Sequence, residues 1–134
     1  MNDPATDAIE VLSEAFRHRN VGQALECFTD DPGTTYAGSE AGEVAVGRQA
    51  LHNLLQQIFA RDEAYSWAPL QVWSSPLGDC RVVMAELTGR VHRPEGAHDE
   101  EFPYRLSGIL RHDGGSWRWV LCHAAEPTTP TSLP

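Results

Sequence analysis

The chain predicts an α+β fold in which three N-terminal helices pack on a strongly curved, mainly antiparallel sheet. Three observations carry this: apolar residues at helical spacing as far as Phe59, strand-like alternation from Tyr65 to His123, and turn signals that separate successive strands by only a few residues. Helices first and a meander afterwards place the two kinds of element in separate layers, whereas a doubly wound parallel sheet would alternate them.

The first helix opens at Asp3-Pro4, a capping side chain followed by a proline suited to a first turn, and Ala8, Ile9, Leu12 and Phe16 then recur on one face up to Arg17. Asn20 with Gln23 three residues on reads as a capping box for a short second helix through Val21, Ala24, Leu25 and Phe28, stopped by Asp30-Asp31-Pro32-Gly33. Thr34–Ala37 and Val44–Val46 form a small hairpin around a polar turn from Gly38 to Glu43. From Arg48, the residues Leu51, Leu54, Leu55, Ile58 and Phe59 give the strongest helical pattern of the chain. Four strands follow, Tyr65–Trp73, Arg81–His92, Tyr104–Arg111 and Trp117–His123, with breaks at Ser74–Gly78, Arg93–Gly96 and His112–Gly115. One domain over residues 1–126 is expected, followed by a disordered tail over 127–134 with two interior prolines and almost nothing to bury.

Composition excludes several classes of function. A net charge of -9, from 10 Lys+Arg against 19 Asp+Glu, repels phosphate backbones and anionic lipid, so neither nucleic acid nor membrane is expected as a partner. No stretch approaches the roughly 18 apolar residues of a membrane span, and Met1-Asn2-Asp3-Pro4 carries no targeting pattern, so a cytoplasmic protein is expected. Cys27, Cys80 and Cys122 are odd in number, far apart and outside any C-x-x-C pair, so reduced thiols are expected, with no metal and no cofactor. His92, His98, Asp99, Glu100 and Glu101 crowd one hairpin loop and read as a solvated acidic turn.

The long strands are apolar on both faces, so each face needs a cover. One set joins Val82, Met84, Glu86 and Thr88 to Arg105, Ser107, Ile109, Val120 and Cys122. The other joins Val83, Ala85 and Leu87 to Leu106, Leu110, Trp119, Leu121 and His123. The first set is expected to face the helices, because Glu86, Arg105 and Ser107 in an apolar cup could meet a small polar ligand or move a proton. A cross-strand ion pair between Glu86 and Arg105 is the plainer alternative. The second set is then expected to face outward, where Trp119, Leu121, Leu106 and Leu110 are buried by a second copy of the chain. His123, the side chain best matched to proton transfer near neutral pH, falls on that outer set unless the strand bulges.

Motifs sharpen this. Asp31-Pro32-Gly33-Thr34-Thr35, Gly47, and the run Arg111, Asp113, Gly114, Trp117 with His123 resemble the turn, the helix-opening glycine and, with one extra residue before the tryptophan, the Arg-x-Asp-Gly-x-Trp hairpin of the nuclear transport factor 2-like superfamily, in particular its SnoaL-like group, which includes the association domain of calcium/calmodulin-dependent kinase type II. The resemblance covers the chain as far as Ala125 and implies a cone-shaped, cystatin-like barrel with a cavity between sheet and helices, and dimers through the sheet. It implies either binding modules or enzymes such as ketosteroid isomerases and polyketide cyclases. The association domain's cavity arginines correspond to Glu86, Ser107 and Ala124, and the isomerases' first-helix tyrosine is missing beside Phe16, leaving Tyr36 and Tyr65 as substitutes.

The function expected is a homodimeric small-molecule-binding domain with Tyr36, Trp67, Glu86, Arg105 and Ser107 lining the cavity. The alternatives are an isomerase or cyclase that uses Glu86 or His123 as general base, and a non-catalytic oligomerisation module whose cone is filled by side chains.

Overall fold

The computed structural model describes residues 3–95 and 97–128. Its elements run α1 (Pro4–Arg17), α2 (Val21–Glu26), β1 (Thr35–Ala37), β2 (Val44–Val46), α3 (Arg48–Phe59), β3 (Ala64–Leu77), β4 (Cys80–His92), β5 (Glu100–Asp113) and β6 (Ser116–Ala125). The fold is α+β, as expected. Most of the segment expected to be a disordered tail lies outside the described residues.

The caps form as the sequence dictates. Asp3 accepts a hydrogen bond from the Ala5 N–H at 2.7 Å with Pro4 in the first turn, and Asn20 accepts from the Gln23 N–H at 3.0 Å. The second helix ends earlier than expected, at Glu26, because Phe28 is drawn into a parallel bridge with Trp119, and the Trp119 N–H donates to the Cys27 carbonyl at 2.8 Å. Gly114 and Gly115 are the two loop residues between the paired Asp113 and Ser116, and their φ values of 62° and 86° are of the sign a tight two-residue hairpin turn requires.

The six strands form one open sheet in the order β2-β1-β6-β5-β4-β3. It does not close into a barrel: β2 and β3 remain as edges. All pairings are antiparallel except β1 with β6. The break expected at Ser74–Gly78 is shorter than the sequence suggests, since Ser74, Ser75, Pro76 and Leu77 continue in register opposite Val83 to Cys80. Pro76 is tolerated there because β3 is an edge strand with one side free of ladder bonds.

Two irregularities change the phase of side-chain alternation. Pro69 opposes Leu87 while Gln71 opposes Glu86, leaving Leu70 as an extra residue in β3. Ile109 opposes Leu121 while Leu110 opposes Trp119, leaving Val120 as the extra residue in β6. Trp119 therefore faces the helices before the bulge, and Cys122 and Ala124 face them after it.

The core corrects the face assignment. Val83, Ala85, Leu87, Leu106, Leu110 and Trp119 are buried with Ile9, Leu12, Phe16, Phe28, Leu51 and Leu55 from the helices and their connections. Trp119, Leu106 and Leu110 are thus core residues, not an outer interface. The physical reason is compositional: the set free of charges takes the dry side, where an unpaired charge would be most expensive. The outer face instead carries rows that run across the strands, Trp73–Met84–Ser107–His123 and Val82–Ile109–Leu121. Trp73, Val82 and Met84 remain 49%, 44% and 39% exposed on it.

Candidate ligand-binding site

At one end of the sheet, the start of β3, the end of β4, the start of β5 and the end of β6 meet the last turns of α1 and α3 and the loop between β1 and β2. They enclose a cavity of about 280 Å³. Its floor is aromatic. Trp67 and Tyr104 stack with centroids 5.7 Å apart and planes 9° from parallel, Phe16 packs against Trp67 at 4.7 Å, and Phe102 meets Tyr104 edge-on at 5.6 Å. Gly89 makes this packing possible: a Cβ there would come within 2.4 Å of the Phe102 ring.

The polar wall is built from the β1–β2 loop and the segment after α3. Glu43 is buried; its Oε1 accepts the Glu40 N–H at 3.0 Å and its Oε2 lies 3.4 Å from the Arg61 guanidinium. Gly38 leaves room for that carboxylate, since a Cβ at Gly38 would stand 2.4 Å from Glu43 Oε1. Arg61 also reaches Glu40 at 3.2 Å and donates to the Tyr65 hydroxyl at 3.3 Å, which in turn donates to Glu63 at 2.8 Å. Arg93, just outside the wall, pairs with Glu63 at 3.7 Å and with Glu100 at 3.2 Å.

Three phenols line this space. Burial pushes the Tyr36 hydroxyl well above its ordinary pKa and does the same for Tyr104, which the Ser39 side chain partly offsets by a hydrogen bond. Burial also raises Tyr65, against the opposing bond from Arg61. All three hold their protons at neutral pH. The Tyr65 hydroxyl has hydrogen-bond partners, whereas the Tyr36 hydroxyl has none among the described residues, although the residue is only 3% exposed. Unexpelled, unpaired polar groups in such a place are available to a ligand.

Of the residues the sequence singled out, Tyr36 and Trp67 line the cavity. Glu86, Arg105, Ser107 and His123 do not. They lie on the outer face of the sheet, where Arg105 donates to Glu86 at 2.9 Å from Nε and lies 2.8 Å away from Nη2. The plainer alternative, a cross-strand ion pair, describes Glu86 and Arg105. Ser107 opposes His123 in the outer row, and His123 is exposed. The motif residues form a structural latch: Asp31 of the Asp-Pro-Gly turn meets Arg111 of the hairpin at 2.7 Å, and the Thr29 and Thr34 hydroxyls meet at 2.6 Å. Among the described residues no group of three His, Cys, Asp or Glu side chains converges as a metal site would require.

The profile of the SnoaL-like domain matches residues 6–128. The chain belongs to the SnoaL-like family. Solved structures place this SnoaL-like domain in the wider nuclear transport factor 2-like fold. A candidate dehydratase of the NTF2-like family from Streptomyces avermitilis superposes with a TM-score of 0.77 at 14% identity, covering 94% of this chain and 96% of that one. A protein of unknown function with a cystatin-like fold from Nostoc punctiforme gives 0.72 at 15% identity, over 92% and 89% of the two chains. A candidate calcium/calmodulin-dependent protein kinase type II association domain from Thiobacillus denitrificans gives 0.70 at 15% identity, over 90% and 93%. These superpositions show a shared fold. No functionally curated protein matches the chain.

Within the SnoaL-like domain, sequence reasoning passed over Glu43, Arg61, Phe102 and Tyr104. Glu43 stood in a segment read as a polar turn, and Arg61 between the third helix and the first long strand. Phe102 and Tyr104 shared a usable signal, since they alternate in phase with Leu106 and Leu110 on the uncharged face of β5.

Proposed function

We propose that this SnoaL-like domain binds a small organic molecule in the cavity between Tyr36, Trp67 and Tyr104, and works as a homodimer through the outer face of its sheet. The observation that carries the binding reading is Tyr36, a residue only 3% exposed whose protonated hydroxyl has no hydrogen-bond partner among the described residues, at the wall of an aromatic-floored space. Of the three side chains that would plug a filled cone, Met84 lies on the outer face, Phe59 packs edge-on against Phe16 outside the cavity lining, and Ile58 is only one wall of the cavity. This favours a binding domain over a filled oligomerisation module. The test is ligand-observed magnetic resonance on a set of small aromatic compounds, repeated on Tyr36→Phe and Trp67→Phe. Binding that weakens severalfold in both variants supports the cavity, and binding indifferent to both rejects it.

The dimer reading rests on Trp73, Val82 and Met84, three apolar side chains in adjacent rows of one exposed surface, with Ile109 and Leu121 half-buried between them. Surface of that character is stabilised by a second copy of the same face. A second functional reading, proton transfer, is favoured by the position of Glu43 beside Arg61 on the wall that also holds Tyr36: a carboxylate base and a protonated phenol share one sheltered space. In that reading Glu43 replaces Glu86 and His123, which face away from the cavity. Its test is loss of solvent deuterium exchange into a bound carbon acid in Glu43→Gln.

A further inference from the structure

We infer that the cavity selects a cationic ligand, a protonated amine carrying a compact apolar body. This rests on the binding reading above and adds the charge of what is bound. The wall holds five carboxylates, Glu40, Glu43, Glu63, Glu100 and Glu126, and a single guanidinium, Arg61. Even with Arg93 counted through its pairs to Glu63 and Glu100, negative charge is in clear excess. Glu126 has no ion-pair partner among the described residues, so its charge is free to face the cavity mouth. The net charge of -9 on the whole chain adds a long-range field of the same sign.

A second observation points to a ligand independently of charge. Tyr36 is 3% exposed, its hydroxyl has no partner among the described residues, and it lines the same cavity as Glu43 and Arg61. Its oxygen can accept an N–H from an ammonium group held among the carboxylates. Phe16, Ile58, Trp67, Val91 and Phe102 give the apolar part of the ligand a dry seat, and about 280 Å³ accommodates a single ring with a short chain. A carboxylate or a phosphate ester would have to enter against the net excess of negative charge left after Arg61 and Arg93 are counted, in a setting where desolvation strengthens repulsion. The arrangement therefore discriminates by charge first and by shape second.

Three near-isosteric probes test this on the full chain: 2-phenylethylamine, 2-phenylethanol and 3-phenylpropanoate, titrated at pH 7 in low salt. The amine is expected to bind at least roughly tenfold tighter than the alcohol, with the propanoate weakest, and the amine's advantage is expected to shrink at about 0.5 M salt. Glu126→Gln and Glu100→Gln, both at exposed positions, should cut the amine-to-alcohol ratio severalfold, while Glu10→Gln on the exposed side of α1 should leave it unchanged. Equal binding of amine and alcohol, both weakened by Tyr36→Phe, overturns charge selection and leaves the binding reading standing. Failure of all three probes to bind at millimolar concentration removes both. An amine preference that falls as much in Glu10→Gln as in Glu126→Gln reduces the effect to general surface charge and also overturns the inference.

Discussion

Replacing Gly108 by alanine should damage this protein more than any other single added methyl group. Gly108 sits in β5 opposite Cys122, and a Cβ there would lie 1.9 Å from the Leu121 carbonyl oxygen and 2.9 Å from its carbon. An ordinary contact begins near 3.4 Å, so the two strands would have to part by about 1.5 Å, and the obstruction is backbone that no rotamer change can move. Overpacking of this kind costs about 1–3 kcal/mol, and two ladder hydrogen bonds weakened by the separation add about 1 kcal/mol each. A total of about 3–5 kcal/mol is a large part of the roughly 5–15 kcal/mol that holds a domain of this size together. Thermal unfolding by circular dichroism should show the midpoint lowered by about 10–20 °C. Gly114→Ala is the internal control: its φ of 62° is strained for alanine, but nothing lies within 4 Å, so about 1 kcal/mol is expected. A Gly108→Ala protein that melts within about 3 °C of the parent, or no lower than Gly114→Ala, would refute the reasoning.

Other outcomes follow from the same geometry. Gly89→Ala drives the Phe102 ring out of its seat and into the cavity, so binding of an aromatic probe should fall by about tenfold or more while stability drops by about 1–3 kcal/mol, read by titration and by denaturant melts. Trp73→Glu or Met84→Glu should yield folded monomers by light scattering, whereas Trp119→Glu should fail to fold because that position is fully buried; a folded Trp119→Glu monomer would restore the discarded face assignment. Alkaline pH should destabilise the fold. Burial pushes the Cys27 thiol from 9.0 up to about 12, so the folded chain keeps a proton that the unfolded chain releases. That contribution is intact below pH 9 and is lost as pH climbs towards 12, about 4 kcal/mol for this group alone. Cys122, Tyr36 and Tyr104 shift in the same direction for the same reason. Urea melts at pH 8 and pH 11 measure the loss, and a flat profile would contradict it.

The order and type of every element were legible in the chain because local chemistry specifies them: Asp3-Pro4 and Asn20 open helices, Gly114-Gly115 closes a hairpin, and Leu51, Leu55 and Ile58 mark one buried stripe. Which face of the sheet turns inward was not, because Val82 and Met84 are as apolar as Val83 and Ala85, and strand alternation alone has no sign. The bulges at Leu70 and Val120 add a phase change that the sequence does not announce. Four of the six candidate residues went to the other face: Glu86, Arg105, Ser107 and His123 turned outward together, since they share one parity or its bulged continuation. Tyr36 and Trp67 do line the cavity, from the short β1 and from the start of β3. Glu43 could not be seen at all, because its burial depends on Arg61, 18 residues away, folding back over it.

The long free margin of the sheet has a bearing on how copies of this protein can associate. Over its 14 residues β3 is interrupted by Pro69, by the unmatched Leu70 and by Pro76, and the opposite margin, β2, is only three residues long. Neither rim offers a straight, uninterrupted template for another chain's backbone, so growth by strand addition into fibrils is disfavoured at both ends. The dimer proposed above would therefore meet through side chains of the outer face rather than through a shared backbone ladder.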